Sequence, residues 1–321
     1  MKSIKELSDL VNDELMSIKY PQTPSSLYEP IEYILDLGGK RMRPILVLMA
    51  YQLFDKNIEK AISPALAIEI FHNFTLLHDD IMDNAPLRRG QKTVHEKWNN
   101  NVAILSGDTM LVQAYQLIAE LDNSIVKHVL AVFSKAAIEV CEGQQLDMDF
   151  ETQLDVSIID YLKMIEYKTA VLLGAALQIG GITAGASKQE QNYLYAFGRD
   201  LGIAFQLKDD LLDAFGNIET FGKQVGGDIM ANKKTYLYLK ALALADKTQR
   251  TNLKQYFSSN DTSQLKVDLV KAIFIELDIH QQTTNLIMEY HAKAMRNLAA
   301  INSDMKEPLL IFSASLMDRV S

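Results

Sequence analysis

A chain of 321 residues, 48% hydrophobic and 23% charged, carries enough apolar material for a sizeable core, which excludes disordered and fibrous classes. Its formal net charge of -9 excludes a general affinity for nucleic acid, and its single cysteine, Cys141, excludes an internal disulfide or a cysteine-held metal. The charged amino-terminal stretch lacks the apolar block of a signal peptide and no apolar run reaches the ~20 residues of a transmembrane segment, so a cytoplasmic protein is expected.

Helices are expected throughout, giving an all-α fold. All but one of the seven prolines lie before residue 87 and no glycine follows Gly227, so the strongest helix breakers are concentrated early. Apolar residues recur at helical spacing over residues 111–145, 158–180 and 189–215, with no sustained alternation that suggests strands. Breaks are expected at 20–26, 55–63, 88–101 and 216–235. None is a long low-complexity linker and no repeat period stands out, which points to a single domain over residues 1–321. The segment 216–235, polar and glycine-containing, reads as a mobile flap.

In chain order, the first segment with chemistry is GGKRMRP at 38–44, where one helix ends and another begins, placing Lys40 and Arg43 near a tight turn. An apolar helix then ends in Asp79, Asp80 and Asp83 within LLHDDIMD, and Arg88, Arg89 and Gly90 follow. Lys168 and Thr169 lie on a further helix in EYKTAVLLGAALQIGG. Gly198, Gly202, Gln206, Asp209 and Asp213 fall on one side of the next, describing a cavity wall that turns polar at its mouth. Asp209, Asp210 and Asp213 repeat the first aspartate pattern within FQLKDDLLD, and Lys223, Lys233 and Lys234 follow in the polar segment.

On a helix, residues four apart stand one turn above each other, so Asp79 is beside Asp83 and Asp209 beside Asp213. With 24 aspartates in the chain, chance supplies about 0.13 such patterns, so a pair of them carries weight. Like charges at this spacing destabilise a helix, and both clusters adjoin apolar rather than charged sequence. A compensating cation is therefore a better reading than two solvated faces. Hard carboxylate oxygens without His or Cys suit Mg²⁺, which keeps waters and bridges to phosphates, and the clusters read as facing walls of one diphosphate site. His78 with Asp79 offers a rival, an HD-type phosphohydrolase pair, but that chemistry needs further suitably placed histidines and only six exist. The Arg forks and mobile Lys charges fit two diphosphates in different settings.

The ordered series from GGKRMRP through HDDIMDNAPLRRGQKTVH, ILSGD and EYKTA to FQLKDDLLD and GKQVGGDIMANKKT resembles the trans-isoprenyl diphosphate synthases, the polyprenyl synthetase family. The resemblance implies an isoprenoid synthase fold of antiparallel helices around a deep central cavity, a homodimer, and three Mg²⁺ ions that Mn²⁺ can replace. It implies head-to-tail condensation of an allylic diphosphate (dimethylallyl, geranyl or farnesyl) with isopentenyl diphosphate. By motif position, Lys40, Arg43, His72 and Arg89 resemble the isopentenyl diphosphate contacts. Arg88, Lys168, Thr169, Gln206, Lys223 and Lys233 resemble the contacts to the allylic substrate. Asp79, Asp83 and Asp209 resemble the main metal ligands, with Asp80 and Asp213 beside them and Asp210 in the catalytic set. Gln224 departs from the pattern, since many members have proline there. A terpene cyclase on the same fold and a noncatalytic, regulatory subunit are the competing readings. Lys40, Arg43 and Arg89 argue against the first, and the filled clusters argue against the second.

Product length is expected to follow from residues upstream of Asp79, which measure depth at ~1.5 Å per residue. Thr75 is one turn down, Phe74 about 7.5 Å and Phe71 about 12 Å below the cluster. Two phenylalanines there read as a floor. Thr75 is small where animal-type farnesyl synthases carry a second aromatic, and Phe74 resembles the stop of archaeal-type geranylgeranyl synthases. A geranylgeranyl product is therefore expected ahead of a farnesyl one, and products of thirty carbons or more are rejected.

Overall fold

Ser3 opens the first helix, α1 (Ile4–Ser17), with a reciprocal cap: its hydroxyl accepts from the Glu6 amide while the Glu6 carboxylate accepts from the Ser3 amide. The protein is described by a computed structural model over residues 2–153, 155–216 and 226–317. After α1 come α2 (Ser25–Asp36), α3 (Met42–Gln52), α4 (Ile62–Met82), α5 (Val94–Lys97), α6 (Asn100–Ala119), α7 (Val126–Thr152) and α8 (Ile158–Ile165). They are followed by α9 (Val171–Thr183), α10 (Lys188–Phe215), α11 (Gly227–Met230), α12 (Tyr236–Leu244), α13 (Lys247–Phe257), α14 (Gln264–Glu276), α15 (Ile279–Ala300) and α16 (Glu307–Met317). The expected all-α class is observed, apart from a minimal hairpin of Leu87–Arg88 against Gln91–Lys92.

The described residues group into two compact units. The first takes Met1–Lys135, Ala175–Tyr195 and Ile301–Leu309, and the second takes Ala136–Gly174, Ala196–Ala300 and Leu310–Ser321. Four of their five boundaries fall inside α7, α9, α10 and α16, and the fifth falls at the end of α15. In the first unit, α4 is buried almost all round from Pro64 to Phe74, with Glu69 and Asn73 among its buried residues, and packs against α3 and α6, as expected of a core helix. Leu7, Val11 and Leu15, four residues apart, are the buried stripe of α1. In the second unit, α8, α10, α12, α14 and α15 share one apolar core, including Tyr161, Leu207, Leu211, Leu237, Val270, Phe274 and Ile287.

Two helical stretches differ from expectation. Residues 111–145 are interrupted at 120–125, where the Asp122 carboxylate accepts from the amide and hydroxyl of Ser124. Asp-Asn-Ser turns a chain by this local bonding without glycine or proline. Residues 158–180 contain a π turn, Glu166–Ala170, between α8 and α9. The helix α6 reaches the length and mean hydropathy, 1.2, of a spanning segment, although it lies along α4. Of the expected flap, residues 217–225, with Lys223 and Gln224, lie outside the described residues, while 226–235 include the short helix α11.

Candidate active site

In the first unit, α4 delivers Asp79 and Asp80 in its last turn and Asp83 as its C-cap, with the Asp83 amide donating to the Asp79 carbonyl. Asp79 is half-buried and Asp83 exposed, while Asp80 is 2% exposed. Arg88 grips both Asp80 oxygens, Nε at 2.8 and 3.0 Å and Nη2 at 2.7 Å. Asp80, expected beside the metal ligands, is thus placed as the anchor of Arg88. The bidentate fork also aims the hairpin that carries Arg88.

That hairpin reverses at Arg89 and Gly90, with φ of 53° and 77°. Its left-handed turn sends the Arg89 guanidinium over Gly39, where a Cβ would meet Nη2 at 2.7 Å. Gly39 therefore makes room for Arg89. Arg43 Nη1 lies 3.0 Å from His72 Nε2, and Arg43 Nε is buried without a hydrogen-bond partner among the described residues. Arg41 is the exception in this basic group: its guanidinium is buried on Glu69 at 2.7 Å and on the Asn12 side chain. Lys40 is exposed.

Desolvation lowers Arg43 to about 10, with Glu69 opposing. His72 is held well below its ordinary range, first by desolvation and then by Arg43, Arg89, Arg88 and Arg41. The imidazole is therefore neutral and accepts from Arg43. An orphaned guanidinium donor in a neighbourhood of positive charge is a place for an anion. Because the folded His72 binds fewer protons than the unfolded one below pH 6.5, it withdraws stability as pH falls through that value and has no effect above it. Urea unfolding at two pH values on either side of 6.5 tests this. Relative to His72→Gln, the wild type loses up to about 1.4 kcal/mol per pH unit on the acid side, and an unchanged difference refutes a neutral His72.

Below the first cluster, the Phe74 ring meets the His78 ring edge-on at 4.7 Å and Phe71 at 5.6 Å, and Phe71 packs on Phe133 at 5.2 Å. Phe71 is fully buried, Phe74 nearly so, and Thr75 is half-buried.

In the second unit, α10 carries Gln206, Asp209, Asp210 and Asp213. Asp210 is buried and accepts from the Tyr161 hydroxyl and, at 3.2 Å, from Gln206 Nε2. Burial pushes its carboxyl up to about 8, reinforced by Asp228 and opposed by the two hydrogen bonds. Asp213 Oδ2 accepts from the Asp228 amide at 2.9 Å. Lys168 Nζ sits 2.6 Å from Asp147 on α7, Thr169 Oγ1 is 3.3 Å from Gln206 Oε1, and the exposed Lys233 lies 3.8 Å from Asp228. Lys234 Nζ instead caps α7, donating to the Phe150 and Glu151 carbonyls.

In each cluster the middle aspartate is thus held by protein groups, Arg88 in one case and Tyr161 with Gln206 in the other. The outer pairs, Asp79 with Asp83 and Asp209 with Asp213, stand one turn apart near helix ends, Asp83 exposed and the other three half-buried, with Asp213 also accepting from the Asp228 amide. No group of three or more His, Cys, Asp or Glu ligands stands together among the described residues. Two hard oxygen donors per cluster are too few for an all-protein cage and fit Mg²⁺, which takes its remaining ligands from water and phosphate. Sequence reasoning passed over Asp147 and Tyr161. Their only signal was position, one turn beyond Gly143 and one residue type that hides in any helical core.

Residues 24–274 match the family model described as polyprenyl synthetase. Over 311 residues the chain is 35% identical to the geranylgeranyl diphosphate synthase of Methanosarcina mazei, covering 96% of this chain and 93% of that protein. Over 257 residues it is 39% identical to the geranylfarnesyl diphosphate synthase of Natronomonas pharaonis, covering 74% and 75%. A crystal structure of a geranylgeranyl pyrophosphate synthase, 48% identical, superimposes with a TM-score of 0.94 over 100% of both chains.

Proposed function

This chain belongs to the polyprenyl synthetase family and is a short-chain trans-prenyltransferase acting on isoprenoid diphosphates, and from that premise we propose that it makes geranylgeranyl diphosphate from isopentenyl diphosphate and an allylic primer. The observation that carries the substrate assignment is the Arg43 guanidinium, with its orphaned Nε beside a neutral His72 and near Arg89. Lys40, Arg43, His72 and Arg89 bind the isopentenyl diphosphate. Asp79 and Asp83, and Asp209 and Asp213, are the carboxylates for Mg²⁺, the metal of this family, with three ions the expected number. When bound, these ions supply Lewis-acid neutralisation of the departing diphosphate.

The protein's own groups do the remaining work. Arg88, Lys168, Lys223 and Lys233 add positive charge where the allylic carbon–oxygen bond breaks, so electrons leave with the diphosphate and an allylic cation remains. The oxygen dipoles of Thr169 and Gln206 steady that cation without bonding to it. The isopentenyl double bond attacks its terminal carbon, and a proton then passes to the released diphosphate, leaving a trans double bond.

The twenty-carbon product is supported by the edge-on contact of Phe74 with His78 and the buried Phe71 and Phe133 rings beneath. Chromatography of the dephosphorylated products tests it: a fifteen-carbon or thirty-carbon end product overturns the length. Phe74→Ala opens space under the cluster and lengthens the product by one or more isoprene units. An unchanged product from Phe74→Ala and Phe71→Ala places the floor elsewhere.

We further propose that the chain works as one domain, since four of the five unit boundaries cut through helices where true linkers are exposed and irregular. It works as a homodimer. Leu105 and Val112, seven residues apart on α6, and Leu130, Ile138 and Met148 on α7 are exposed apolar side chains. Sedimentation equilibrium should give a dimer that the double variant Leu105→Glu/Val112→Glu dissociates. A wild-type monomer that binds vesicles would instead assign the exposed side of α6 to a membrane.

A further inference from the structure

The turn Glu166–Ala170 presents Lys168 and Thr169 on an unusual backbone. Its closing bond runs from the Val171 amide to the Glu166 carbonyl, five residues back rather than four, so it holds one residue more than an α turn. Such turns are rare, and they persist where surrounding structure over-determines them.

Within the second unit, two glycines on different helices do this. A Cβ at Gly143, on α7, would lie 2.2 Å from the Lys168 amide nitrogen and 2.6 Å from its Cα. A Cβ at Gly202, on α10, would lie 2.7 Å from the Ala170 Cα and 2.8 Å from its Cβ. All four distances fall under 3.0 Å, which real Cβ contacts essentially never show. The same two helices also tie the side chains of the turn. Asp147 of α7 holds Lys168 at 2.6 Å, and α10 supplies Gln206 to Thr169 at 3.3 Å and Arg199 to Glu166 at 3.9 Å. Backbone approach and side-chain pairing therefore act together on both flanks of the turn.

We propose that Gly143 and Gly202 are positioning residues for the condensation: by letting α7 and α10 close onto the backbone of the π turn, they hold the register that sets where Lys168 Nζ and Thr169 Oγ1 stand. Successive helical residues are turned by about 100°, so losing the extra residue would swing these side chains away from Asp147 and Gln206. Neither glycine touches substrate in this proposal. Each acts through the turn. A methyl group at either position must push the helix outward or straighten the turn, and both outcomes displace the two functional atoms.

The inference rests on the prenyltransferase reading, and the wild-type assay separates the two. Wild type, Gly143→Ala, Gly202→Ala and a variant lacking Tyr167 are assayed with isopentenyl and geranyl diphosphates and Mg²⁺, alongside circular dichroism and thermal unfolding. A wild type that does not elongate overturns the prenyltransferase reading and with it the purpose assigned to the turn. With an active wild type, the glycine variants keep their helicity and lose about a hundredfold in kcat, while KM for isopentenyl diphosphate stays within about threefold. The deletion variant replaces the π turn with a regular one, so it melts at or above the wild-type temperature and shows the same loss in kcat. It also decides the matter if the glycine variants fail to fold. A deletion variant with kcat within about threefold of wild type, or glycine variants in which both KM values rise equally as the melting temperature falls, would overturn the proposal.

Discussion

Asp79→Ala lowers kcat by about a thousandfold or more at saturating concentrations of both diphosphates. Asp79 stands in the last turn of α4, one turn from the C-cap Asp83, and the two supply oxygen donors alone. Removing one leaves a single carboxylate, too weak a hold for a hard cation that must dehydrate in order to bind. The loss falls on the step in which negative charge builds on the departing diphosphate, so kcat and kcat/KM decline together. Asp80→Asn is the discriminating control. Its carboxylate is engaged by Arg88 at 2.7–3.0 Å, so the substitution weakens an anchor and costs less than the loss of Asp79. Steady-state kinetics with Mg²⁺ raised until each rate saturates distinguishes the two. An Asp80→Asn rate below that of Asp79→Ala would exchange the roles of the two aspartates.

Arg43→Ala raises KM for isopentenyl diphosphate by about a hundredfold and leaves KM for the allylic primer nearly unchanged. The guanidinium is enclosed enough for desolvation to lower it to about 10, yet it remains charged at neutral pH and keeps one buried donor unpaired. A charge-assisted hydrogen bond from such a donor contributes about 1.5–3 kcal/mol, which converts to roughly ten- to 150-fold in affinity. The variant also relieves His72 of the strongest of the neighbouring charges that depress it, with burial remaining. The imidazole should then titrate nearer its ordinary value, which NMR of the ring protons can follow. An increase in the primer KM instead would mean that the two diphosphates have been assigned the wrong way round.

The helical class was legible because a 3.6-residue period and the placement of prolines and glycines are local properties, and the same period set Asp79 over Asp83 and Asp209 over Asp213. The basic residues around GGKRMRP and LRRG were equally legible, with a reason for one of the glycines: Gly39 admits the Arg89 guanidinium. The Asp122–Ser124 turn is encoded just as locally, in an aspartate that bonds the backbone two residues on, yet the helical spacing on either side hid it within 111–145.

The structure decided what each of these residues is bound to. Three aspartates in a row of five look alike in sequence, and the structure gives the buried middle ones their partners, Arg88 from the hairpin for Asp80 and Tyr161 with Gln206 for Asp210. The π turn, the partnership of Lys168 with Asp147 and the contacts of Gly143 and Gly202 were likewise hidden. Helical period is fixed by bonds between residues four apart, whereas the pairings of Asp80 with Arg88 and of Asp210 with Tyr161 join residues 8 and 49 apart in the chain and exist only once packing has brought a hairpin or a second helix against them.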